Sequence, residues 1–126
     1  MQWILTGTGL LLALAIIMIG VSYIANPMTT TRSFGLPLPV DSPTIPSWLR
    51  LKGVRDVVAG LLVLAFMVWG NEWAVGLVLL VEALTPTGDM LVILAGKGSV
   101  RHALGIHGLT AIVMLLVAFP MMMGAN

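Results

Sequence analysis

The chain has 126 residues, 59% of them hydrophobic and 9% charged, with a net charge of +1 and a mean hydropathy of +1.07. Soluble domains carry about 25% charged residues, so this chain lacks the polar surface that keeps a protein in water. The small net charge leaves no footprint for nucleic acid, and the lack of cysteine excludes disulfides, thiolate catalysis and cysteine metal sites.

The length fits one domain, residues 1–126, and several uncharged runs approach or exceed the roughly 18 residues of a membrane-crossing helix. The first predicted helix covers about residues 3–25 and holds no charge. No basic stretch precedes it and no small-x-small site comes after it, so it is expected to remain as a span rather than be cleaved as a signal peptide. Gly7, Gly9, Ala13 and Gly20 would let another helix approach closely, although ordinary residues of a lipid-facing helix read the same way. Residues 26–47 form a loop with prolines at 27, 37, 39, 43 and 46. Phe34, Leu36, Leu38, Val40 and Ile45 are interleaved with them, so this loop is expected to lie back on the helices or in the headgroup layer.

The second predicted helix, about 48–70, begins WLRLKGVRD and is apolar after Asp56. Arg and Lys near a helix end can reach the interface, but Asp56 is too short to do so. It shares a face with Gly53 and Gly60, which places it toward a neighbouring helix, with Lys52 at i−4 as the nearest counter-ion. Asn71 and Glu72 leave room only for a short turn, so the second and third helices are expected to be antiparallel neighbours. The third, about 72–95, carries Glu82, Pro86 and Asp89 in its apolar run. Pro86 frees the carbonyl four residues back, and Thr85, Thr87 and Gly88 stand where loosened backbone groups need partners. Glu82 and Asp89 are seven apart and so face one side. The fourth helix, about 100–123, opens with Arg101 and His102 and carries His107 one to two turns in.

These elements predict an all-α, four-helix transmembrane bundle. All six Lys and Arg, at 32, 50, 52, 55, 97 and 101, fall at the end opposite the termini. Positive loops stay in the cytoplasm, so both termini are expected on the non-cytoplasmic side of a plasma membrane or bacterial inner membrane.

Ionisable residues inside a span are costly and point to function. Asp56, Glu82, Asp89 and His107 are the candidate catalytic set, and Arg55, Arg101, His102, Thr85 and Thr87 the candidate substrate-binding set. Buried carboxylates keep their protons unless a cation pairs with them. A protonated Glu82 beside an ionised Asp56 or Asp89 near Arg55 would place an acid and a base in one cavity. The plainer alternative is that these groups hydrogen-bond one another and fix helix register. No nucleotide, metal or triad signature is present. GTG at 7–9 is not GxGxxG, no helix shows Glu-x-x-His, and His102 and His107 are five apart rather than i, i+4. No cofactor or metal is expected.

Asn26-Pro27, SFGLP at 33–37, LKGVRDVVAGLLVLA at 51–65, TGDMLVIL at 87–94 and His107 in the last span are together similar to a family of small four-span membrane proteins. Bacteria and fungi carry it, and it is catalogued as a domain of unknown function. The resemblance covers most of the chain. It implies four helices with Arg55, Asp56, Asp89 and His107 as the polar set, and it brings no activity. Small multidrug transporters have similar length but place their intramembrane Glu in the first helix, which here is charge-free.

Several readings stay open on the residues alone. One is an enzyme or binding protein for a lipophilic small molecule, acting through the carboxylates. Another is a proton-coupled small-molecule transporter, which at this size would work as a homo-oligomer. A third is an accessory membrane subunit whose polar groups are structural. The bilayer is a partner in all of them.

Overall fold

The computed structural model describes residues 1–38 and 42–124; Pro39 and Val40 of the loop, and the two terminal residues of the 1–126 domain, lie outside them. The described residues are all helical or irregular, with no strand. The long helices are α1 (Gln2–Ala25), α2 (Ile45–Trp69), α3 (Glu72–Ala95) and α4 (Val100–Met122). Three of them, α1, α3 and α4, are long and apolar enough to cross a membrane, which points to a membrane protein. In α2, Arg50, Lys52, Arg55 and Asp56 crowd the first half.

Boundaries differ from the sequence expectation where local chemistry intervenes. The loop is not wholly irregular. Pro27 starts a short helix, Pro27–Thr30, succeeded by a 3-10 turn at Thr31–Ser33, and Pro46 sits in the first turn of α2. Proline suits that first position because its missing N–H would have no helical partner there. Gly70 ends α2 at a left-handed φ of 77°, and the Asn71 side chain then accepts the Ala74 N–H at 3.0 Å, starting α3.

α3 and α4 are each interrupted. α3 breaks at Ala83 into Glu72–Glu82 and Leu84–Ala95, just ahead of Pro86. The Thr87 hydroxyl donates to the Ala83 carbonyl at 2.7 Å, a carbonyl that also accepts the Thr87 N–H, and not to the Glu82 carbonyl that the proline frees. α4 opens with Val100–His102, widens into a π-turn at Ala103–Gly108, and resumes at Leu109–Met122.

The helices pair into two hairpins. Gly53 of α2 lies against Gly20 of α1, where an added Cβ would sit 2.6 Å from the Gly20 carbonyl. One register further, Gly60 meets the Ala13 carbonyl just as closely. In the second hairpin Gly76 of α3 approaches the Ala118 carbonyl of α4. Small residues let backbones touch where lipid offers no hydrophobic drive to association. Gly9 also faces α2 and α3, whereas Gly7 touches nothing. The apolar core, including Ala13, Val63, Val75, Leu79, Met114 and Val117, fills the half of the molecule nearest the termini. The Lys, Arg and His side chains lie toward the other end, while Gln2, Asn71 and Glu72 stay at the end of the termini.

Candidate functional site

Between the two hairpins lies a hollow of about 1070 Å³, floored by core residues such as Leu79 and Met114. Pockets that enclose small molecules run from about 300 to 1,000 Å³. Its polar lining includes Asp56, Glu82, Asp89 and His107, with Lys52, Arg55, Tyr23 and Thr85. All the carboxylates singled out within the helices thus reach one space.

Asp56 is 5% exposed. Its Oδ2 accepts from Lys52 Nζ at 2.7 Å, one turn back on the same helix. A buried carboxylate without such a partner would be strongly destabilising. The Lys52 ammonium also lies 4.7 Å from the centroid of the Tyr23 ring and 5.4 Å from that of Phe34. Two aromatic faces and a carboxylate therefore surround it. The sequence offers two cations for the place beside Asp56, Lys52 at i−4 and Arg55. Lys52 takes that place because i, i+4 residues share a helix face, whereas Arg55 points about 100° away from Asp56. Arg55 is exposed on the rim of the hollow, and Arg101 does not line it.

His107 is held from two sides. Its Nε2 lies 3.0 Å from the Phe34 carbonyl, and a carbonyl only accepts, so Nε2 carries the hydrogen and donates. Its Nδ1 faces Asp89 Oδ2 at 3.6 Å. An imidazole whose hydrogen is on Nε2 presents a lone pair at Nδ1, and an ionised carboxylate presents another. The approach is favourable only when a proton sits on one of the two atoms. The π-turn directs this geometry, since it puts an extra residue into one turn and rotates the remainder of the helix. The Phe34 ring meets the imidazole edge-on, with centroids 4.8 Å apart and planes at 68°.

The other candidates are more scattered. Glu82 is half-buried on the hollow and, among the described residues, has no hydrogen-bond partner. Thr85 lines the hollow and is exposed, while Thr87 is spent on its own helix. His102 lies outside the hollow, its Nδ1 at 2.8 Å from the Ser99 hydroxyl that starts α4. Tyr23 and Phe34 are site residues that sequence reasoning does not single out. The apolar residues of the proline-rich loop are the only signal for Phe34. Among the described residues, no three His, Asp or Glu side chains gather as a metal-ligand set.

A family model described as a domain of unknown function, DUF4267, matches residues 13–121, which takes in every residue of the hollow's polar lining. No curated protein and no solved structure matches the chain.

Proposed function

The chain belongs to the DUF4267 family, and we propose that α1–α4 form a four-span transmembrane bundle whose hollow takes up a lipophilic small molecule and acts on it by acid–base chemistry. In this reading the six Lys and Arg residues face the cytoplasm and both termini lie on the far side of a plasma or bacterial inner membrane. The charges of α2 are confined to its cytoplasmic end, so its apolar remainder completes a fourth span. A reporter fused to the C-terminus is expected to be active outside; a cytoplasmic C-terminus would remove the orientation.

The observation that carries the reading is the contact between His107 Nδ1 and Asp89 Oδ2 on the wall of the hollow. An imidazole and a carboxylate that face each other across 3.6 Å can give a proton to, or take one from, a molecule bound beside them. Glu82 supplies a second carboxyl group without a protein partner among the described residues. Lys52 neutralises Asp56 and keeps that anion in place. The rest of the wall, with Leu12, Ile16, Leu62 and Met114, is apolar and suits a lipophilic body.

The test begins with protein purified in mild detergent. Solvent extraction and mass spectrometry are expected to find a bound lipophile that the wild type alters and Asp89→Asn retains unaltered. Asparagine keeps the shape but removes the titrating group. Bulk phospholipid alone in both preparations would sink the proposal. A second reading, a proton-coupled transporter working as a homo-oligomer, is favoured by one feature. Met18 and Val58 line the hollow and are 70% and 58% exposed, which gives it side openings toward the surroundings. Flux in liposomes that depends on a proton gradient, with no chemical change, would establish that reading instead. If Asp56→Asn and Asp89→Asn left the protein's cellular function intact, the groups would be structural, as in an accessory subunit.

A further inference from the structure

A second recess, of about 380 Å³, lies at the charged end of the molecule, outside the hollow. Arg32, Lys97 and His102 line it, with Leu36 and Pro37 on its apolar side. Its floor is built where the proline-rich loop crosses the turn between α3 and α4. The Ser99 N–H donates to the Gly35 carbonyl at 2.7 Å. Gly35 holds a φ of 97°, and a Cβ there would meet the His102 Cβ at 2.6 Å. At Gly98 an added Cβ would lie 2.5 Å from the Gly35 carbonyl. Only glycine fits at either position, so backbone closes on backbone and the three basic side chains surround a fixed floor. The Ser99 hydroxyl accepts the His102 backbone N–H and lies 2.8 Å from His102 Nδ1, which fixes the imidazole on the wall of the recess. No carboxylate lines the recess among the described residues.

We propose that this recess binds a phosphate group, supplied by the headgroup of a membrane lipid. Arg presents a fork of N–H donors matched to phosphate oxygens, Lys adds a point charge, and the imidazole N–H a third direction. Basic pockets at the cytoplasmic ends of membrane helices take phosphorylated headgroups by this chemistry. The apolar side formed by Leu36 and Pro37 gives the upper acyl chains a surface. The site does not depend on the chemistry proposed for the hollow.

The test uses the whole protein in detergent with added phosphatidic acid, and native mass spectrometry to count retained lipid. Wild type is expected to retain one anionic lipid. Arg32→Gln with Lys97→Gln is expected to lose it by at least about tenfold, the lower end of what a charge-assisted hydrogen bond contributes. Arg50→Gln with Arg101→Gln removes the same charge at the same end without touching the recess, and is expected to change retention by less than about twofold. Circular dichroism shows whether both double variants stay folded. Equal loss in both would mean diffuse attraction to a basic surface and would overturn the proposal, as would no loss in either. A titration with inorganic phosphate alone separates the sources. Saturable binding that the first double variant abolishes and that displaces the lipid would replace the headgroup with free phosphate as ligand.

Discussion

His107 and Phe34 are 73 residues apart in the chain and are joined twice, by a hydrogen bond from Nε2 to the Phe34 carbonyl and by an edge-on ring contact at 4.8 Å. One contact uses backbone and the other uses side chain, so substitution can separate them.

Phe34→Ala removes the ring and keeps the carbonyl. A paired aromatic contact is worth about 0.5–1.5 kcal/mol, which corresponds to roughly a two- to twelvefold larger open population of the loop. Limited proteolysis between residues 26 and 44 should accelerate by that factor. An unchanged rate would mean that the loop is held elsewhere, for instance by Ser99 on the Gly35 carbonyl.

The imidazole is expected to carry its hydrogen on Nε2, because the Phe34 carbonyl leaves it no other role. Nitrogen-15 spectra of labelled His107 should report either that tautomer or the doubly protonated ring. In Asp89→Asn the amide can donate to Nδ1, so the same ring should be neutral with Nε2–H. A neutral ring bearing its hydrogen on Nδ1 would contradict the geometry.

Asp56→Ala leaves the Lys52 ammonium between two rings without its hydrogen-bonded carboxylate. The expected loss is about 1–3 kcal/mol, since the Lys52 side chain is 28% exposed and water offsets part of the cost. Replacing both, Lys52→Met with Asp56→Leu, should recover much of that loss, as apolar pairs often substitute well for buried ion pairs. A double-mutant cycle on thermal unfolding in detergent measures this. A coupling below about 0.5 kcal/mol would put the pair on a par with exposed salt bridges.

Glycines give a paired test of the packing. Gly53→Val drives branched carbons into the Gly20 backbone and should lower stability by about 1–3 kcal/mol. Gly88→Ala meets nothing within 4 Å and should be neutral or raise stability by up to about 1 kcal/mol, because alanine favours helix. Thermal unfolding of the two variants should therefore move apart.

Features set by local periodicity were legible in the sequence. Gly53, Asp56 and Gly60 share one face of α2, and that face does pack on α1. Lys52 could be named as the neighbour of Asp56 because four residues make one turn. The placement of Arg101 and His102 was not legible. Both belong to the candidate substrate-binding set, yet neither lines the hollow, and the π-turn after them changes the phase between the helix start and His107. The Phe34 anchor was equally hidden, since it acts partly through a backbone carbonyl, which every residue has.

The Phe34 anchor also has a consequence in time. Chains grow at about 5–20 residues per second, so the 73 residues between Phe34 and His107 take roughly 4–15 s to make. The first hairpin can zip along its glycines as soon as α2 emerges, but the Phe34 carbonyl must wait for the last helix to meet His107. For those seconds the nascent protein carries a proline-rich segment held only by the first hairpin, through Thr30 on Ser22 and Phe34 beside Lys52. This is the interval in which a protease or chaperone can tell an unfinished chain from a finished one.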